Sequence, residues 1–548
     1  MKLNYKRTIL VGFAFFLISA FWQAYDAIVP LILTNHYGLA QDASGWVMSL
    51  DNILALFMLP LFGAFSDRVF TKWGKRTPFV FVGTIVAVIA FVSLTFVGNP
   101  QLARVEETPV SVTKENYSAA YDLSDNVVKL SAQAFKNNDD AFSEIYEEEV
   151  AALSRFYSAD TIPEQYEAAD EFRNATYKLV KYGKINSDVE LQDFAKGQLD
   201  LVDKLFEEIE DQTYNITKNN VGSLVGFTAV LLVVLIAMAT FRSPAVALMP
   251  DVTVKPLRSK GNAIINLMGT AGGIIVLVFG IVFATKQIYM SYTWYVVAVC
   301  AVMVIGLAIF LATVKENRWA KEMEEDTVKY GIVEEAADAG EKRKLSRSEM
   351  ISLLLILASV AFWYMGYNSI TSKYSVYATR ELGFDYNLTL IIAQAAAVVA
   401  YIPIGIISSK IGRKKAILAG IIMLTLAFAI GHFITPLTPE FLMYPIFILA
   451  GIGWASINVN SFPMVVELAR GGDVGKYTGY YYTASMAAQA IAPVLSGKLY
   501  ELIGMRKVFF VFGAIFVALS FVTMFFVKHG DAKPEKVDAL EALAGADD

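Results

Sequence analysis

Twelve apolar segments, each long enough to cross a bilayer as a helix, leave few folds open to this chain. They lie near residues 9–33, 43–66, 78–98, 221–249, 261–284, 290–314, 349–372, 387–408, 416–434, 440–463, 478–500 and 507–527. A hydrocarbon core of roughly 30 Å takes about 20 residues of helix to span. Backbone amides cannot stay unpaired in lipid, so runs of this length read as helices. The chain is 55% apolar and only 18% charged, with 13% aromatics. That balance suits an all-α polytopic membrane bundle and not a water-soluble domain. Lys2, Lys6 and Arg7 precede the first run, which is long enough to be a membrane helix and not a cleaved signal. The lone cysteine, Cys300, lies inside an apolar segment and excludes a disulfide framework or a thiolate metal site.

Lys and Arg placement gives a topology. The loops after spans 2, 4, 8 and 10 carry Arg68, Lys72, Lys75, Arg76, Lys255, Arg258, Lys260, Lys410, Arg413, Lys414, Lys415, Arg470 and Lys476. The middle linker, 315–348, adds Lys342, Arg343, Lys344 and Arg347. The opposite loops are poorer in cations. Both termini and the linker are therefore expected in the cytoplasm, with the protein in a plasma or inner membrane. The expected organisation is spans 1–3 in 1–98, an insertion at 99–220 and spans 4–6 in 221–314. The linker at 315–348, spans 7–12 in 349–528 and a tail at 529–548 complete it.

The insertion is polar and acidic, and by this topology lies outside. Runs 139–157 and 163–183 place apolar residues at helical spacing, among them Phe142, Ile145, Tyr146, Val150, Leu153 and Phe156. A small extracellular helical domain is expected. It could be a lid or a binding module, or only a solvated insertion; its protein partners are not legible. Asn116, Asn174 and Asn215 begin N-x-[ST] sequons.

An internal repeat organises the spans. Gly63-Ala-Phe-Ser66-Asp67-Arg68 and Gly74-Lys75-Arg76 follow span 2. Gly405-Ile-Ile-Ser408-Ser409-Lys410 and Gly412-Arg413-Lys414 follow span 8, 342 residues on. Gly261 and Met268 of span 5 recur as Gly479 and Met486 of span 11, an offset of 218. The offsets differ by 124, close to the 122 residues of the insertion. One insertion thus explains both offsets, and the chain reads as two six-helix halves. Such halves carry a solute site between them near the midplane.

The G-x-x-S-D-R loop and its degenerate copy resemble the signature of the major facilitator superfamily. The longer pattern runs from Gly63 through Ser66, Asp67, Arg68, Gly74, Lys75 and Arg76 to Pro78 and Phe79. Arg242-x-Pro244-x-x-Ala247-Leu248-x-x-Asp251 and Arg258-x-x-x-Asn262-Ala263 follow. Together they are similar to the branch of sucrose–proton symporters and glycoside–pentoside–hexuronide cation symporters. The resemblance implies a cytoplasmic latch built on Asp67 and the basic residues after it. Melibiose-type members carry span 2 acidic residues where this chain has Ala55 and Leu59, so a sodium site is not expected.

An anion at Asp67 suits the N-terminus of a neighbouring helix. Asp251 and Glu467 end spans 4 and 10 in equivalent places. Arg68 or Arg76 is the expected partner of Asp251, and Arg413 of Glu467. Gly63 and Arg242 complete the gate; Arg242, at the inner end of span 4, is read as structural or gating. Ionisable groups inside spans are costly and mark function. Asp26 in span 1 and Asp51 in span 2 sit at similar depth and are the proton-coupling candidates, because low dielectric and a second carboxylate both raise a carboxyl pKa. Solute contacts are expected from Trp22, Gln23, Tyr25, Asn52, Asn266, Tyr367, Asn368, Gln394, Trp454, Asn458, Tyr481 and Gln489. No nucleotide loop or metal-ligand spacing appears, so no enzyme activity, cofactor, metal or nucleic-acid partner is expected. The leading expectation is a proton-coupled sugar or glycoside importer. An exporter or exchanger of another small solute, and a membrane-held binding protein working through the insertion, are the alternatives.

Overall fold

The computed structural model describes residues 3–110, 140–186, 188–254, 257–330, 345–468 and 474–530. Asn116, Lys255, Arg470, Lys342, Arg343, Lys344 and the tail after 530 lie outside the described residues. The first half comprises α1 (Tyr5–Leu31), α2 (Gln41–Arg68) and α3 (Thr77–Glu107). Three helices follow before the next span: α4 (Asp140–Ser158), α5 (Ile162–Ile185) and α6 (Val189–Asn219). The half then resumes with α7 (Val221–Asp251), α8 (Arg258–Val282) and α9 (Thr293–Thr313). The linker forms α10 (Glu316–Lys329). The second half holds α11 (Arg347–Thr371), α12 (Tyr386–Ile411), α13 (Arg413–Gly431), α14 (Met443–Glu467), α15 (Val474–Ile503) and α16 (Met505–Phe525).

Among the described residues, eleven helices are long and apolar enough to cross a membrane. The remaining expected span, α15, is a 30-residue helix of the same bundle that is less apolar. Lys498, Glu501 and five tyrosines account for its lower hydropathy. Within the halves, α1 lies along α8, α3 along α7, α11 along α16, and α14 between α12 and α13.

The halves meet where α2 crosses α15 and α8 crosses α12. The first crossing is backbone on backbone. A Cβ on Gly45 would fall 2.3 Å from the Pro493 carbonyl oxygen, and one on Gly497 2.3 Å from that of Gln41. Only glycine fits such an approach. Ser49 Oγ donates to the Ala490 carbonyl at 2.7 Å across the same seam. Thr285, after α8, bonds the Tyr386 hydroxyl at 2.6 Å and accepts from Asn387 Nδ2 at 3.1 Å. All these contacts lie toward the end of the bundle that carries α4–α6, the insertion face. The opposite end, the linker face, carries Arg68, Arg76 and α10. There, among the described residues, Gly479 of α15 has no neighbouring heavy atom within 4 Å of a built Cβ.

The insertion is helical at both runs expected of it, with the long α6 added. Thr161 and Glu164 cap α5 reciprocally. Phe156, Ile162, Ala169, Phe172, Leu205 and Ile209 form its core. One expected core position is corrected: Val150 is exposed, and its neighbour Glu149 is buried instead. The turn of α4 that brings Phe142 and Phe156 inward also brings in Glu149, whose Oε1 accepts from Thr176 Oγ1 at 2.9 Å. Burial pushes this carboxyl from 4.5 up to about 7. The folded insertion therefore binds more protons than the unfolded chain between those values, and its stability falls as pH rises through them. Glu149→Gln is expected to flatten that fall and to stabilise the insertion by on the order of 1–3 kcal/mol at pH 8. Hydrogen exchange of α4 and α5 amides at pH 5 and pH 8 measures it; equal pH responses in parent and variant would refute it.

Candidate functional site

A cavity of about 570 Å³ lies between the halves. Helical periodicity selects what faces it. On α1 it is lined by Trp22, Gln23 and Asp26, and on α2 by Asp51 and Asn52. Asp51 Oδ1 accepts from the Asn52 backbone N–H at 2.6 Å and from its side-chain amide at 2.8 Å. Asp26 and Asp51 lie within Coulombic reach of each other, and Arg242 of α7 within reach of Asp51. The Arg242 guanidinium carbon stands 5.6 Å from the centre of the Trp22 ring.

The second half presents a different chemistry. Tyr367 and Asn368 on α11, Gln394 on α12, Trp454 on α14 and Gln489 on α15 line the wall without a formal charge. Tyr367 stacks on Trp454 at 3.6 Å with planes 7° apart, and Tyr364 meets Trp454 edge-on at 5.4 Å. Gln394 Nε2 donates to Gln23 Oε1 at 2.5 Å, joining the halves through the cavity. The indole nitrogen of Trp22 and the amide nitrogen of Asn266, both on lining residues, have no protein partner among the described residues.

Three expected solute contacts lie outside this wall. Tyr25 does not line the cavity: it is fully buried, stacked on Phe21, which packs in turn on Phe91 of α3. Tyr481 is buried with its hydroxyl 2.9 Å from Ser461 Oγ, tying α15 to α14. Asn458, one turn beyond Trp454, is buried in helix packing. Arg242 moves the other way. It precedes the end of α7 by nine residues, roughly 13 Å of helix, and lines the cavity instead of the linker face.

At the linker face Arg76 is the hub. Its Nε donates to Asp251 at 2.8 Å and its Nη2 to Asp67 at 2.5 Å. It also donates to Ser66 Oγ, and to the Gly63 carbonyl at 3.5 Å. Arg68 is exposed and, among the described residues, takes no part in this cluster. In the second half, Arg413 donates to Glu467 at 2.7 Å. Among the described residues Asp67 caps no helix. The start of α3 is capped by Glu316 of α10, which accepts from the backbone N–H groups of Lys75, Arg76 and Thr77.

A family model described as Major Facilitator Superfamily matches residues 219–399 and 377–544, and one described as MFS/sugar transport protein matches residues 10–109. The chain belongs to the major facilitator superfamily. An MFS-type transporter, ppzB, of Metarhizium rileyi is 31% identical over 125 residues, covering 23% of this chain and 25% of that protein. The chain thus aligns with about a quarter of that relative's length. The inward-open xylose transporter XylE of E. coli superposes with a TM-score of 0.57 at 11% identity, over 98% of this chain and 100% of that one. A POT family transporter in complex with 5-aminolevulinic acid gives 0.54 at 11% identity, over 94% and 95%. At these identities the structures establish the fold alone.

The facilitator fold thus brings Asp26, Asp51 and ten further residues named from sequence, Arg242 included, to one cavity. Sequence reasoning passed over Ser19, Thr270, Thr371 and Tyr401, which also line it. Only Tyr401 carried a signal, as an aromatic two residues before Pro403 in mid-span. The small hydroxyls do not stand out in an apolar run.

Proposed function

We propose that this facilitator is a secondary active transporter that carries a neutral, hydroxyl-rich solute, a sugar or glycoside, together with a proton by alternating access. The observation that carries the reading is the division of the cavity wall. Charge is confined to the first half, at Asp26, Asp51 and Arg242, while the second half offers amides and stacked aromatic rings. Amides and the unpartnered donors of Trp22 and Asn266 suit hydroxyl oxygens, and ring faces suit the apolar faces of a pyranose. Two carboxylates against one guanidinium leave one negative charge without a counterion. A proton neutralises it in transit, so an ion gradient supplies the driving force.

The halves close at the insertion face, so we read this conformation as inward-facing, with the linker face and both termini in the cytoplasm and the insertion outside. The Arg76–Asp67–Asp251 and Arg413–Glu467 clusters each sit within one half here. We assign them to holding the linker-side helix ends in the shape needed for closure.

Uptake into proteoliposomes under an imposed pH gradient, screened over mono- and disaccharides, is the test. Accumulation that collapses with a protonophore is expected. Movement of other small solutes without any sugar would replace this reading with the exporter or exchanger alternative.

A further inference from the structure

The insertion branches from the first half, between α3 and α7, yet it grips the second half. Glu210 of α6 pairs with Arg380, in the turn between α11 and α12. Arg173 of α5 donates to the Arg380 carbonyl and to Asp170. The Arg380 guanidinium also stands 6.0 Å from the centre of the Tyr166 ring of α5. A second grip lies at the start of α16. The Arg506 guanidinium stacks 4.1 Å over the Tyr177 ring of α5, and Lys507 Nζ lies 3.7 Å from Asp200 of α6. Arg173 and Arg380 are buried, so solvent screens these contacts little while the face is closed.

These grips span the face at which the halves are closed. They cross from the chain segment anchored in one half to loops belonging to the other. Parting of the halves at that face has to break them or carry the insertion away from its own half. We propose that the insertion is a clamp on the insertion face, which holds the two halves together there and biases the carrier toward the linker-open state. This inference rests on the transport reading above, since a clamp matters only to a protein that alternates.

A population shift requires a contact made in one state and not in the other. The Glu210–Arg380 pair is such a contact, and its loss frees the insertion face to open. The test reads conformation directly and does not depend on the solute. In nanodiscs and a Cys300→Ser background, spin labels at Phe70→Cys and Lys410→Cys report the separation of the halves at the linker face. Glu210→Gln and Arg380→Gln are each expected to raise the short-distance population roughly fivefold relative to the long one, a shift typical of allosteric coupling. The swapped pair, Glu210→Arg with Arg380→Glu, is expected to restore most of the parent distribution. Asp200→Asn, which leaves the buried grip intact, serves as a milder arm should Arg380 variants fail to fold, with about a twofold shift expected for an exposed pair. Distance distributions identical in the parent, Glu210→Gln and Asp200→Asn would overturn the clamp. Distributions that shift while no solute moves in liposomes would keep the clamp and overturn the transport reading instead.

Discussion

Asp26→Asn is expected to abolish proton-gradient-driven uptake, by roughly 100-fold or more, while leaving solute exchange at equal pH largely intact. The two cavity carboxylates are not equivalent. Asp51 receives two hydrogen bonds from Asn52 and lies in the field of Arg242. Asp26 has Asp51 as its charged neighbour and, among the described residues, no cation beside it. On the proposed transport reading, Asp51 therefore balances Arg242 and Asp26 is the group expected to take the proton. An uncompensated charge in a membrane interior costs several kcal/mol, and each 1.4 kcal/mol is a factor of ten. Removing the Asp26 charge makes the site neutral without a proton, so the cycle runs in exchange but no longer needs the gradient. Asp51→Asn has a different signature. It leaves the Arg242 guanidinium without its nearest carboxylate, so both exchange and driven uptake are expected to fall. Paired measurements of counterflow and pH-driven uptake separate the two. Full gradient response in Asp26→Asn would remove it from the coupling role.

What could be read from the sequence follows from contrast. Asp26 and Asp51 were legible because a carboxylate inside an apolar run has no structural reason to be there unless it is used or paired. The helices were legible for the reverse reason, as long apolar runs with no alternative in lipid. α15 is the instructive case among them. It is less apolar than the others, and the recurrence of Gly261 and Met268 of α8 as Gly479 and Met486 supports its place as the fifth helix of the second half. At its seam with α2 the backbone approach at Gly497 leaves no room for a side chain.

The misreadings have equally local causes. Arg242 was placed at a helix end although the expected end of its span, near 249, is only two residues from the observed Asp251; the roughly two turns of helix between set it on the cavity wall. Val150 and Glu149 exchanged places because α4 turns its acidic side toward Thr176. Tyr25 and Tyr481 look like sugar platforms in sequence, yet the residues packed against them decide which way a ring points. Composition cannot supply that choice; packing of the opposing helix does.

Glu316→Ala is expected to destabilise the first half by roughly 3–5 kcal/mol, the cost of leaving buried polar groups unpaired. Nothing in a charged linker distinguishes this glutamate from its neighbours, but only 3% of it is exposed. Its Oε1 accepts from the Lys75 and Arg76 backbone N–H groups at 2.6 and 2.8 Å. Its Oε2 accepts from the Thr77 N–H at 2.8 Å and the Thr77 hydroxyl at 2.7 Å. These are the donors that open α3, where the helix dipole favours an anion. Gly74 makes the approach possible: its φ of +121° suits glycine, and a Cβ there would fall 2.1 Å from the Glu316 carboxyl carbon. The same contact fixes Arg76, whose guanidinium joins Asp67 to Asp251. Loss of Glu316 therefore loosens the linker-face cluster from below, and Gly74→Ala does so by collision. Glu316→Gln keeps the shape and two acceptor positions while turning the other end into a donor facing donors, so it falls between. Thermal unfolding in detergent ranks the three variants, and hydrogen exchange at Lys75, Arg76 and Thr77 localises the effect. An unfolding midpoint unchanged in Glu316→Ala would mean that water satisfies those amides as well as the carboxylate does, and the linker helix would then be a passenger on the bundle and not a brace for it.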